Sequence, residues 1–145
     1  MTVAETELVA SREFDVPREL VFRAWTTPDL LARWWGPKGF THTFYECDVR
    51  PGGAWKFTMH GPDGTDYPNH NVFVEVMPSE RIVLDHLSGH EFRITATFED
   101  FEGRTKVTFR QLFKIKEEFE QAKPICLEAN EQQLDRLGKV LADLA

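Results

Sequence analysis

The residues able to do chemistry in this sequence are His42, His60, His70, His86 and His90, the thiols of Cys47 and Cys126, and the alternating run Glu46, Asp48, Arg50. Histidine in a dry pocket transfers protons near neutral pH, so His70 or His86 could serve as an acid or base. No supporting motif accompanies them. The chain has no GxSxG elbow, no phosphate-binding glycine loop, no HExxH and no dinucleotide fingerprint, and its GGAW and GPDG segments read as hairpin turns. His42 and His60 could meet across neighbouring strands, but a third ligand is missing, so neither a metal nor another cofactor is expected. Cys47 and Cys126 lack CxxC spacing and read as small buried hydrophobes in a reducing compartment. Glu46, Asp48 and Arg50 read as a solvated strand face or as an ion pair to Lys56 or Arg12.

Binding draws on a different set. Trp34 and Trp35 could close a pocket from a helix, although adjacent residues on a helix cannot share one direction. Trp55, Phe57, Met59, Phe92 and Phe109 fall on strand positions that alternation assigns inward, where aromatic side chains can line a concave site. Each alone also fits ordinary core packing, so their weight is collective. Inward polar residues say more, because a buried polar group needs a partner and a ligand can supply one. His70 shares alternate positions with Val72, Val74 and Val76, His86 with Ile82 and Leu84, and Gln111 lies between Phe109 and Phe113. If those faces point inward, these three could orient the polar end of an otherwise apolar ligand. The competing role for either histidine is a strand end satisfied by water or backbone.

The elements that must position these side chains follow from periodicity. Glu7 to Phe14 reads as a first strand. Asp15 to Glu19 then opens a helix, with Asp15 or Val16 near the cap and Pro17 in the first turn. Thr27-Pro28-Asp29 repeats that start, and Leu30, Leu31, Trp34 and Trp35 follow at helical spacing until Gly36-Pro37. From Phe40 to Phe113 the period becomes two, broken by turn signals that divide the run into six strands. One face of these strands is apolar and the other polar, as in an antiparallel sheet covered on one side. Leu127, Leu134, Leu137, Leu141 and Leu144 then form a stripe on a helix from Pro124 to about Asp143, with Lys116 to Ala122 as a separate turn or short helix because proline breaks a helix interior.

The expected fold class is α+β: a curved seven-stranded antiparallel sheet wrapping a long C-terminal helix, with two short helices between strands 1 and 2, in one domain over residues 1–145. That order, together with FDVPRELVFRAWTTPDLLARWWGP, ECDVRPGGAWKF, GPDG with Tyr67 after it, MPSERIVL and the C-terminal LDRL, resembles the START/Bet v 1-like (SRPBCC) superfamily. Within it the sequence is most similar to proteins with the domain of the Hsp90 ATPase activator homologues. The resemblance covers nearly the whole chain and implies a helix-grip fold with an internal apolar cavity. Members range from small-molecule carriers to cyclases, and the co-chaperone relatives carry additional sequence that this chain lacks. Many relatives also place an aromatic, often tryptophan, a few residues before the LDRL segment. Here the stretch is Glu128-Ala129-Asn130-Glu131, and Asn130 would make the cavity wall more polar or larger.

The preferred expectation is a binding protein for a small apolar or aromatic molecule, with Trp34, Trp35, Trp55, Phe57, Met59, His70, His86, Phe92, Phe109, Gln111 and Asn130 as the cavity set. Alternatives are an Hsp90-type interaction protein, less supported, and a cyclase or hydro-lyase using a cavity histidine. A net charge of -7 opposes polyanionic partners, so neither nucleic acid nor an anionic membrane is expected. Without an apolar leader or a run of about 18 apolar residues, a cytoplasmic location is expected. A homodimer through a sheet edge or the tryptophan-bearing helix stays open.

Overall fold

The computed structural model describes residues 5–145. Its elements are β1 (Glu7–Phe14), α1 (Arg18–Thr26), α2 (Pro28–Trp34), β2 (Thr41–Cys47), β3 (Ala54–His60), β4 (Asp66–Met77), β5 (Arg81–His86), β6 (Phe92–Phe101), β7 (Arg104–Phe113) and α3 (Lys116–Leu144). All neighbouring strands pair antiparallel in the order β1-β7-β6-β5-β4-β3-β2, a curved sheet open at both edges. Strands β2 to β7 form a meander whose last strand, β7, returns to pair with β1, which the α1–α2 excursion separates from β2. This is the α+β helix-grip architecture expected from the pattern. No described helix is long and apolar enough to cross a membrane.

The sheet buries one face because alternate strand residues are apolar. Trp55 and Phe57 of β3, Ile82 and Leu84 of β5, Ile94, Ala96 and Phe98 of β6, and Val107 and Phe109 of β7 join one core with α1, α2 and the second half of α3. Arg12 of β1 ties the sheet to α3 through Glu131 at 2.7 Å and Asp135 at 2.6 Å, instead of pairing with the acidic strand run. That run is partly internal, with Arg50 on Asp48 at 2.6 Å and Lys56 on Glu46 at 4.0 Å. The turn between β2 and β3 requires Gly53, since a Cβ there would lie 1.9 Å from the Asp48 carbonyl oxygen.

Three local expectations are corrected. Pro17 itself caps α1, one to two residues later than expected, and its carbonyl accepts from Leu20 N at 3.0 Å. The final helix is continuous over 29 residues with Pro124 inside it. Its first turns are held by a second apolar cluster in which Phe119 packs on Phe113 and Leu8, joined by Phe92, Ala122 and Cys126. This packing outweighs the backbone bond that Pro124 removes, and the proline sits on the exposed side. Leu127 faces outward at 46% exposure, so the buried stripe runs instead through Phe119, Asn130, Gln133, Leu134, Leu137, Val140 and Leu141.

Pro124→Ala is therefore expected to stabilise the protein by roughly 1 to 3 kcal/mol, by restoring a helix bond without disturbing the core. Urea denaturation of both proteins measures this, and a variant no more stable than the parent would contradict the packing explanation.

Candidate functional site

The site begins at the C-terminus of α2. The helix ends at Trp35, whose backbone turns extended at φ -64°, ψ 141°, so Trp34 and Trp35 leave in different directions. Trp34 packs inward and donates its indole N–H to Ala24 O at 3.0 Å. Trp35 reaches toward the sheet, with its ring 4.9 Å from that of Trp55. The carbonyls released by the helix end are collected by Arg136 of α3. Its Nη1 donates to Trp35 O, Gly36 O and Pro37 O at 3.0, 3.1 and 2.9 Å, and its Nη2 to Arg33 O and Phe40 O at 3.1 and 3.0 Å. One turn earlier, Gln133 Oε1 accepts from Gly36 N at 2.8 Å. Positive charge at a helix C-terminus is favourable, and here it also satisfies the orphan carbonyls.

Between this loop, the sheet and α3 lies a cavity of about 160 Å³. Trp35, Met59, Phe92, Ile94 and Phe109 give it apolar wall, and Asn69, Asn71, His86, Gln111, Asn130 and Gln133 give it polar wall. A groove of about 370 Å³ adjoins it and shares His86 and Phe92. The charges of that groove are paired, Arg93 with Asp85 at 2.7 Å and Lys114 with Glu91 at 3.9 Å. The inner cavity, with polar groups on an otherwise aromatic wall, is thus the better candidate for recognition.

The polar residues are held by specific bonds. Asn71 Nδ2 donates to Trp55 O at 3.3 Å, which turns its Oδ1 toward His86 Nδ1 at 2.8 Å. An amide oxygen requires a donor there, so Nδ1 carries the proton and Nε2 is left as an acceptor. The imidazole stacks on Phe92 with centroids 4.4 Å apart. Burial lowers the His86 pKa to about 4, against a smaller upward pull from the Ser88 backbone, with His90 and His70 adding to the lowering. At neutral pH His86 is therefore uncharged: it has no imidazolium proton to give and is a weak base. On the helix side, Asn130 Nδ2 donates to Gln111 Oε1 at 3.1 Å.

Of the expected cavity residues, the structure brings Trp35, Met59, His86, Phe92, Phe109, Gln111 and Asn130 together. The other four lie off this wall. Trp34 belongs to the helix core, Trp55 stacks on Phe73 with centroids 5.9 Å apart, and Phe57 packs beside His42 and Phe44. His70 is on the opposite face, in a surface depression with Tyr45, Lys56 and Ser88, because Asn71 and Phe73 are the inward residues of that part of β4. A register shift between Phe73 and Glu75 changes the facing, so Val76 packs on the core while Val74 is exposed. Sequence reasoning missed Asn69, Asn71, Gln133 and the clamp Arg136, although Arg136 lies within the LDRL motif itself.

The remaining reactive groups are quiet. His42 and His60 occupy opposite faces of the sheet. His42 Nε2 bonds Trp35 O at 2.5 Å, whereas His60 bonds Asp66 and Thr43, each at 2.7 Å. Burial lowers the His42 pKa. Burial pushes the Cys47 thiol up to about 11, with Asp48 adding to it, and raises that of Cys126 against a weaker bond from Gln111. Among the described residues no cluster of His, Cys, Asp and Glu could hold a metal ion.

The sequence model of the family described as Activator of Hsp90 ATPase homolog 1-like protein matches residues 15–142. The chain belongs to this family. Its fold is the SRPBCC/Bet v 1-like helix-grip fold. A protein from Nitrosomonas europaea superposes with a TM-score of 0.89 at 22% identity, covering 97% of both chains. One from Chromobacterium violaceum gives 0.84 at 25% identity over 92% of this chain and 96% of that one. One from Rhodobacter sphaeroides gives 0.87 at 22% identity over 100% and 98%. No curated protein matches the chain with significance. These structural likenesses carry the fold, and the family model carries the family.

Two outcomes are expected of the clamp and the histidine. Arg136→Ala should cost roughly 2 to 4 kcal/mol, because it strands several carbonyls at once, and Arg136→Lys should recover only part of this, since one ammonium cannot reach all five. Chemical denaturation measures both, and a loss under about 0.5 kcal/mol would match an ordinary surface site instead. For His86, the unfolded side chain titrates near 6.5 and the folded one near 4. Its contribution is fully present above pH 6.5 and is lost as pH falls toward 4, by up to roughly 3 kcal/mol. His86→Gln should flatten the stability profile over that interval; an unchanged profile would mean that His86 is not held neutral.

Proposed function

We propose that the protein binds and carries, or sequesters, a small, mainly apolar or aromatic molecule between the sheet and α3. The observation that supports this most is the 160 Å³ cavity walled by Trp35, Met59, Phe92, Ile94 and Phe109 and edged by amide side chains. A cavity of about 150 Å³ in a protein core accepts a benzene-sized molecule, so one ring fits the inner space and a larger ligand would extend past His86 and Phe92 into the groove. Flat rings meet flat rings there, and the apolar area removed from water supplies the driving force.

A catalytic variant of this reading narrows to His86, since His70 is on the other face of the sheet. The neutral imidazole suits positioning of a substrate better than donation of a proton. The family description also brings Hsp90 to this chain as a candidate partner, independent of the cavity.

The test is a native mass spectrum of protein purified gently from its own cells, with a thermal-shift screen of flat hydrophobic compounds. A bound small-molecule mass, or saturable stabilisation approaching roughly 2.7 kcal/mol at a hundredfold excess over Kd, is expected. An empty protein unmoved by every compound would contradict the carrier reading and leave capture by Hsp90 as the next experiment.

A further inference from the structure

The polar half of the cavity wall has a definite hydrogen-bonding signature. Asn71, Gln111, Gln133 and Asn130 are 3%, 5%, 5% and 9% exposed, so their amides are as enclosed as the aromatic core. Enclosed amides require partners, and the protein supplies only some. Asn71 is used at both ends, by Trp55 O and by His86. Gln111 Oε1 is taken by Asn130, and Gln133 Oε1 by Gly36 N. Four polar atoms on the lining side chains are left without a protein hydrogen bond: the acceptors His86 Nε2, Asn130 Oδ1 and, nearer the rim, Asn69 Oδ1, whose Nδ2 is held by Tyr67 O, and the donor Gln133 Nε2. Among the described residues the side-chain atoms that are fully enclosed and unpartnered are others, on Trp25, His42 and Trp55, so these four are reached from open space. None of the lining residues is Asp, Glu, Lys or Arg. The nearby cation, Arg136, already serves the five carbonyls of the loop behind the wall.

We infer that the cavity selects an uncharged, planar, single-ring head group carrying both a hydrogen-bond donor and an acceptor, as a lactam or cyclic amide does. The donor would face His86 Nε2 or Asn130 Oδ1 and the acceptor Gln133 Nε2. This rests on the carrier reading and sharpens it, because the same volume with the usual apolar lining would prefer a plain hydrocarbon ring. An anion would meet three acceptors with no charged lining residue to offset its desolvation, and a cation would meet no carboxylate. A bare hydrocarbon would leave these polar atoms without the bonds that water can give them.

The experiment titrates four one-ring probes of similar size, 2-pyridone, toluene, benzoate and benzylammonium, into the ¹⁵N-labelled protein, with affinities read from amide and side-chain shifts. The inference expects 2-pyridone to bind about tenfold or more tightly than each of the others, with the side-chain amides of Gln133 and Asn130 among the shifted signals. In His86→Phe, which keeps a ring against Phe92 and removes the acceptor, the preference over toluene should shrink severalfold; the thermal midpoint of the variant checks its fold. Toluene or a charged probe binding as well as 2-pyridone in the parent protein would overturn the head-group class while leaving the carrier reading standing. Failure of all four at millimolar concentration would overturn both. The parent series decides the question even if the variant does not fold.

Discussion

The geometry of the cavity depends on one side chain of the C-terminal helix gathering the loose end of another helix. Short α2 stops at Trp35, and the loop through Phe40 must then turn into the edge strand β2 with its carbonyls pointing at the helix that fills the sheet. Left unpaired, each would carry the desolvation cost of a buried acceptor. Arg136 answers them with a charge that suits the negative end of α2, and Gln133 holds Gly36 N one turn away. These bonds fix the direction of Trp35, and Trp35 and Gln133 are both cavity wall. The structural clamp and the recognition surface are thus consecutive turns of a single helix face.

From that arrangement follows the mixed character of the site. A curved sheet around a helix leaves space wherever the helix presents short or polar side chains in place of large apolar ones. In the second half of α3, Leu134, Leu137, Val140 and Leu141 fill the core, while Asn130 and Gln133 do not. The facing strands answer with Gln111, Asn71 and His86, so the gap is lined by amides and a neutral imidazole, not by a continuous hydrocarbon wall. Burial keeps His86 neutral, and its tautomer has a local cause: its Nδ1–H is held by an Asn71 whose orientation is itself set by Trp55 O, while its ring lies against Phe92. Such a chain of bonds presents one fixed acceptor to whatever enters.

Much of this was legible in the sequence wherever a single period governed an element. Ile82, Leu84 and His86 alternate without interruption, and Phe92, Ile94, Ala96 and Phe98 do the same, so the inward placement of His86 and Phe92 could be read directly. In β4 the valines at 72, 74 and 76 imitate an inward face, but the shift between Phe73 and Glu75 reverses it, so His70 and Asn71 exchange roles. A bulge leaves no compositional mark strong enough to overrule a run of valines. The extent of α3 was hidden by Pro124, whose local preference is outweighed by Phe119 docking on Phe113 and Leu8. Arg136 was visible only as part of LDRL, because satisfying five carbonyls about a hundred positions upstream in sequence is a tertiary fact with no local signal.

The central claim, that His86 is a neutral acceptor fixed by Asn71, is tested most directly by long-range ¹H–¹⁵N correlation spectra of the histidine rings between pH 8 and 5. The account expects the His86 ring to show a protonated Nδ1 and a bare Nε2 throughout that range. An imidazolium pattern appearing near pH 6.5, or the opposite tautomer with the proton on Nε2, would contradict it.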